Sequence, residues 1–139
     1  MDEVLNYVRA MNHSLARLRE LPVSTRLIRE IHAKLMEGVR GERLQPGELR
    51  NSQNWIGPAG YTLNTATFVP LPHHAVPEAP GALEEFVHTQ DDMPPLVRIA
   101  LAHVQFETIH PFLDGNRRAG RLLITFLLTK CGVLHKPVL

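Results

Sequence analysis

The residues equipped for chemistry stand together in one run, His110-Pro111-Phe112-Leu113-Asp114-Gly115-Asn116-Arg117-Arg118-Ala119-Gly120-Arg121. His110 is the member of this run suited to take a proton near neutral pH. Asp114 is a hard oxygen donor beside a predicted phosphate site, the usual setting for Mg²⁺. Gly115-Asn116 lets the backbone turn tightly into a helix, whose free amides and dipole then face outward as an anion cradle. Arg118 and Arg121, one helical turn apart, share a face on which they can clamp further phosphates. Any one of these residues alone reads as an ordinary helix start with solvated arginines. Together they point to an active site that handles phosphate.

Such a run needs helices on both sides. Val4, Val8, Met11, Leu15 and Leu18 recur at helical spacing and predict a first helix that ends at Leu21-Pro22. Ser24 or Thr25 can cap a second, with Leu27, Ile28, Ile31, Leu35 and Met36 as its apolar set and Gly38 as its stop. Glu78 to Thr89 predicts a short helix. Asp91-Asp92 ahead of Pro94-Pro95 predicts the start of another, because acidic residues and early proline suit a helix N-terminus. That helix runs through Leu96, Ile99, Ala100, Val104 and Phe106 to Ile109, where Pro111 pushes His110 out of the helical region. Beyond Gly115, Leu122, Leu123, Ile124, Phe126, Leu127 and Leu128 cover nearly every face of a last helix, which is therefore expected to be buried, with Gly132 closing it.

Between Glu48 and Pro80 the helical period disappears. Thr65-Ala66-Thr67-Phe68-Val69 has strand character, and Pro70 and Pro72 exclude it from a sheet centre. The expectation is an all-α bundle carrying a small β-hairpin flap. Trp55 reads as an anchor for this loop, His73-His74 as solvated loop residues, and His32 and His103 as packing or surface residues.

Length and charge set limits. The 139 residues make one domain with a real core, and the formal net charge of +1 offers no general basic field for nucleic acid or a membrane surface. The arginines at 117 to 121 are a local concentration, which suits a small anionic ligand. Cys131 is the one cysteine and cannot form an internal disulfide, which fits a reducing compartment; it is expected to be a buried small hydrophobe. The acidic N-terminus lacks the features of a secretory signal, and the apolar run Leu122 to Leu128 is too short to span a bilayer. The expected location is the cytoplasm.

The run His110 to Arg121 resembles the signature of the Fic (filamentation induced by cAMP) family, H-x-F-x-[D/E]-G-N-[G/K]-R-x-x-R. Pro46 to Gly57 resembles the family's second typical stretch, and Phe68-Val69-Pro70 its flap. The resemblance implies a Fic fold over residues 1–139, with a flap at about 56–75 and an active-site loop and helix at 110–131. It further implies transfer of AMP from ATP, with Mg²⁺, to a Ser, Thr or Tyr hydroxyl of a target protein. By motif position His110 would deprotonate that hydroxyl and Asp114 would hold the metal. Gly115 and Asn116 would form the anion nest, and Arg117, Arg118 and Arg121 would complete the nucleotide site. Thr67, Phe68, Val69 and Pro70 would align the target segment by main-chain pairing.

The sequence departs from the pattern in three places. Arg117 stands where the family usually has Gly, and it either blocks the phosphates or binds them from another direction, as the Lys of the Doc branch does in transferring phosphate. A catalytically inactive binding module is the remaining alternative. The inhibitory pattern [S/T]-x-x-x-E-[G/N] is unmatched, Ala33 to Gly38 coming closest, so inhibition is expected from an antitoxin-like partner, from a removed segment, or not at all. The chain also stops soon after the last helix, where family members usually continue with helices around the adenine and ribose.

Overall fold

The computed structural model describes residues 2–138. Its helices are α1 (Asp2–Arg17), α2 (Thr25–Leu35), α3 (Ala79–His88), α4 (Pro95–Ile109) and α5 (Asn116–Lys130). The helical periods therefore lie where the sequence places them, and the all-α expectation holds. Ser24 caps α2 by accepting from the Leu27 amide at 3.2 Å, relieving one of the unpaired donors of the first turn.

The last helix is the axis of the bundle. α5 packs against α4, α2 and α1, while α3 leans on α4. Leu122 and Phe126 of α5 are fully buried, and they meet Leu27 and Leu35 of α2 and Phe106 of α4 in one core cluster. Each such side chain contributes about 1.5–3 kcal/mol by leaving water. Phe112, just outside α5, is also 0% exposed, so the active-site loop is pinned to the core from below.

Two local expectations need correction. On α1 the buried residues are Asn6, Ala10, Met11 and Ser14, whereas Val4 and Val8 are exposed. Asn6 turns inward because its Nδ2 donates to the carbonyls of Leu35 (3.4 Å) and Glu37 (2.5 Å), which closes the end of α2. Cys131 is exposed rather than buried, since α5 ends at Lys130 and the cysteine lies past the core. The expected start of α4 at Pro94-Pro95 is met, with Pro94 as N-cap, and Asp91 pairs with Arg98 of that helix.

The flap is reduced to one antiparallel bridge, Ile56 with Phe68. Ile56 donates to the Phe68 carbonyl at 2.9 Å and its own carbonyl accepts from Phe68 and Thr67. Pro70 and Pro72 remove the donors that would extend the ladder. A 3-10 turn at His73–Ala75 follows, with both histidines exposed. Among the described residues no helix is long and apolar enough to cross a membrane.

Candidate active site

The site is built where α4 ends and α5 begins. His110 caps α4 in the left-handed region (φ 50°, ψ 62°), a conformation that costs a non-glycine residue about 1 kcal/mol or more and persists only where its surroundings over-determine it. Arg50 supplies that constraint. It is 1% exposed, and its guanidinium donates to the carbonyls of His110 (2.7 Å), Ile109 (3.0 Å), Leu71 (2.5 Å) and Ser52 (3.0 Å). Its own amide donates to the Pro111 carbonyl at 2.8 Å. One buried cation thus gathers the end of α4, the base of the flap and the active-site loop.

Two further side chains hold the loop through its backbone. Asn116 accepts from the Phe112 amide at 2.9 Å and donates to the Phe112 carbonyl at 2.7 Å. Its carboxamide is therefore committed to the loop through one donor and one acceptor, and its main-chain amide is free to meet an anion. His32 accepts from the Gly47 amide at Nδ1 and donates from Nε2 to the Asp114 carbonyl, both at 2.8 Å. The ring is accordingly neutral with its proton on Nε2, and it stacks on Phe112 at 3.7 Å between centroids. Burial pushes its pKa down. The expectation that His32 is a packing residue is met, with the addition that it packs the active-site loop.

Gly115 makes the turn. Its φ of 77° is left-handed, and a Cβ there would lie 2.5 Å from Met36 Sδ and 3.0 Å from His32 Nε2, so neither the conformation nor the space admits a side chain. The first intrahelical bond of α5 runs from Ala119 to the Gly115 carbonyl, which leaves the amides of residues 116 to 118 without helical acceptors. No side chain caps them. These amides and the helix dipole form the predicted cradle.

A cavity of about 520 Å³ opens over this turn and is lined by His110, Asp114, Gly115, Asn116, Arg117, Arg118 and Arg121. Every site residue expected from the twelve-residue run meets there. Arg117 and Arg121 are exposed and, among the described residues, unpaired. Arg118 is committed to Glu3 of α1 (3.2 Å) and to the Arg40 carbonyl (3.0 Å). His110 has its basicity lowered, first by burial and then by the cations Arg50 and Arg117; Asp114 and the Glu107 carbonyl pull the other way.

Asp114 fits the metal expected of it in donor type. Its Oδ1 accepts from the Gly115 amide at 2.6 Å, and its carboxylate lies on the cavity wall. Among the described residues no group of three His, Cys, Asp or Glu side chains surrounds an ion. Mg²⁺ does not require one, because it binds through one or two carboxylates with phosphates and water filling its shell.

The flap divides. Trp55, Ile56 and Gly57 line the cavity, whereas Thr67, Phe68, Val69 and Pro70 lie outside its lining. Phe68 spends its amide and carbonyl on Ile56 and Thr67 spends its amide there too, which leaves the Thr67 carbonyl and Val69 for the outer edge. Pro70 is buried. Trp55 donates from Nε1 to the Tyr61 carbonyl at 3.0 Å, which makes it the loop anchor expected, and it faces the cavity as well. Sequence reasoning missed the role of Arg50; its signal was a lone arginine in an otherwise polar loop, which carries no information about burial.

Comparisons with known proteins bear on the family and the fold. Residues 22–128 match the family model described as Fic/DOC family. "Protein adenylyltransferase Fic" of Drosophila grimshawi is 30% identical, over 99% of this chain and 26% of the relative. "Protein adenylyltransferase fic-1" of Caenorhabditis briggsae is 26% identical, over 95% of this chain and 24% of the relative. The chain spans about a quarter of the length of these relatives. A Fic domain-containing signalling protein from Bacteroides thetaiotaomicron superposes with a TM-score of 0.77 at 24% identity, over 94% of this chain and 48% of that one, a likeness of fold.

Proposed function

The chain belongs to the Fic/DOC family, and on that premise we propose that it is a protein AMP-transferase acting on a Ser, Thr or Tyr hydroxyl of a target protein. What carries the reading is the convergence of one base, one carboxylate, free helix amides and the motif arginines on a single cavity wall. Relatives named protein adenylyltransferase support ATP as the donor.

In the reaction proposed, the target hydroxyl oxygen attacks the α-phosphorus of ATP. The new O–P bond forms as the bond from that phosphorus to the bridging oxygen breaks, and pyrophosphate leaves. The hydroxyl proton passes to His110. The amides of residues 116 to 118 and the side chains of Arg117 and Arg121 offset the phosphate charge, joined by Arg118 when it gives up Glu3. Mg²⁺ held at Asp114 would add further positive charge to the phosphates. The outer edge at Thr67 and Val69 would pair with an extended target segment beside the cavity. Most of the acceleration then comes from positioning and preorganised charge. An antitoxin-like inhibitor would act by bringing a carboxylate to Arg121.

The identity of the transferred phosphate is the point of attack for a test. The protein is incubated with a cell lysate and Mg-ATP labelled on either the α- or the γ-phosphate, with His110→Ala as control. Label from the α-position on protein, lost in the control, is expected. Label from the γ-position alone assigns the chain to phosphate transfer, as in the Doc branch. No label, with no Mg-ATP binding by calorimetry, leaves a binding module.

A further inference from the structure

We propose that Glu107 is the positioning residue of the site, holding the proton of His110 on Nδ1 so that Nε2 faces the cavity as the base. The Nδ1 of His110 is buried and, among the described residues, has no hydrogen-bond partner. A buried polar nitrogen left without a partner is costly, so a partner is to be looked for. The Glu107 carboxylate stands one helical turn back on α4, with Oε2 at 3.9 Å from that nitrogen. This is too long for a hydrogen bond, but a shift of about 1 Å closes it, and such contacts commonly tighten when a site fills.

The neighbouring helix is shaped around this carboxylate. Gly120 of α5 faces it: a Cβ at that position would collide with Oε1 of Glu107 and would lie 3.2 Å from Cε1 of His103. His103 is the other residue of α4 whose Nδ1 is buried without a partner among the described residues. His103 and Glu107 are four residues apart on α4, a spacing that stacks side chains on one helix face, and His110 follows at the helix end with its Nδ1 toward Glu107. Glu107 is therefore the carboxylate set between two imidazoles that each lack a partner, in a space that the glycine keeps open.

The chemical role follows from the direction of proton flow. When the hydroxyl proton arrives at Nε2, the ring becomes an imidazolium, and the Nδ1 proton remains where it was. A carboxylate at Nδ1 fixes the starting tautomer and stabilises the cation that forms. The other charges facing the ring are Arg50 from the loop after α2, Arg117 from α5 and Asp114 from the active-site loop. The two arginines oppose protonation, so a carboxylate on the buried side has a definite task. The rival partner is the main-chain carbonyl of Glu107, which favours the protonated ring without completing a hydrogen bond.

The inference rests on His110 as the general base, but its test does not need turnover. The full chain is labelled with ¹⁵N in its histidines, and the His110 nitrogens are followed by NMR as pH is varied. In the native protein the neutral ring should carry its proton on Nδ1. Glu107→Gln should lower the His110 midpoint by about one pH unit, and Glu107→Ala should mix the two tautomers. Where transfer is measurable, both variants should lose kcat by about ten- to hundredfold with KM for ATP unchanged. An unchanged tautomer and midpoint in both variants would overturn the proposal and assign Nδ1 to the main-chain carbonyl. Should the alanine variant not fold, the near-isosteric glutamine decides by its midpoint alone, since the carboxylate is 31% exposed and tolerates that exchange. A protein that transfers nothing, yet shows the tautomer and midpoint changes, refutes the proposed reaction and leaves the positioning role standing.

Discussion

Arg50 and His110 are sixty residues apart in the chain, and the Nε of one donates to the carbonyl of the other at 2.7 Å. This contact ties a left-handed backbone turn to a buried cation that also gathers the carbonyls of Ile109, Leu71 and Ser52. Replacing Arg50 strands those carbonyls. Arg50→Ala is expected to cost about 3–5 kcal/mol of unfolding free energy, and Arg50→Lys nearly as much, because an ammonium cannot reproduce the fork. Urea unfolding measures this. A loss below about 1 kcal/mol for the alanine variant would show that the network is dispensable.

Asn116 belongs to the family signature, yet its side chain serves Phe112 rather than a ligand. Asn116→Asp keeps the shape and the acceptor but replaces the donor facing the Phe112 carbonyl with an oxygen. We expect a destabilisation of about 1–3 kcal/mol. Nucleotide affinity should fall in proportion to the loss of loop order. Thermal unfolding with and without Mg-ATP separates the two effects; an unchanged melting temperature with lost binding would assign the side chain to the ligand instead.

Arg118 is divided between the cavity and Glu3. Phosphates that use its guanidinium must compete with that pair, whose Glu3 side chain is 59% exposed and screened by solvent. Glu3→Gln should tighten Mg-ATP binding by no more than about fivefold at low salt, and the gain should shrink as salt rises. Calorimetry at two ionic strengths reads this directly. Equal affinities at low salt would mean that the phosphates do not reach Arg118.

Acid should unfold the protein in two stages. His32 is neutral in the fold and its pKa is held below the usual 6.5, chiefly by burial; His110 is lowered in the same direction. The unfolded chain therefore takes up these protons first. Stability is full above the ordinary histidine value, declines as pH falls through it, and levels off below the lower folded values. Glu30 follows further down. Its hydrogen bonds to Arg17, His13 and Arg26 hold it at about 2 against an ordinary 4.5, so its contribution is present above 4.5 and lost as pH falls toward 2. Denaturant midpoints measured across pH should show both limbs, the upper reduced in His32→Gln and the lower in Glu30→Gln. A flat upper limb in the native protein would contradict the neutral His32.

The cavity-lining run was legible because its residues are contiguous and their chemistry is local: a base, a carboxylate, a glycine turn and arginines one turn apart need no tertiary information to be recognised. The helices were legible from their periods, since Leu27, Ile31 and Leu35 repeat as a buried stripe must. Arg50, Glu107 and Asn6 were not legible in the same way. The acceptors of Arg50 come from three separate segments, and the space for Glu107 is set by a glycine on another helix. Asn6 sits where a hydrophobic period predicts solvent, because the end of another helix needs its donor. Cys131 was misread for the opposite reason: composition speaks for burial, but its position just past the end of α5 decides.

Arg50, Asn116 and His32 share one habit, which is that their hydrogen bonds to the loop all go to main-chain atoms. The support of the active-site loop is thus indifferent to what Leu113 carries toward the cavity. For anyone wishing to retarget the site, this separates two sets of positions. Leu113, on the cavity wall but outside its chemistry, is open to exchange by library selection, while His110, Asp114 and the arginines carry the chemistry and the three clamps with Gly115 form a chassis to be left alone.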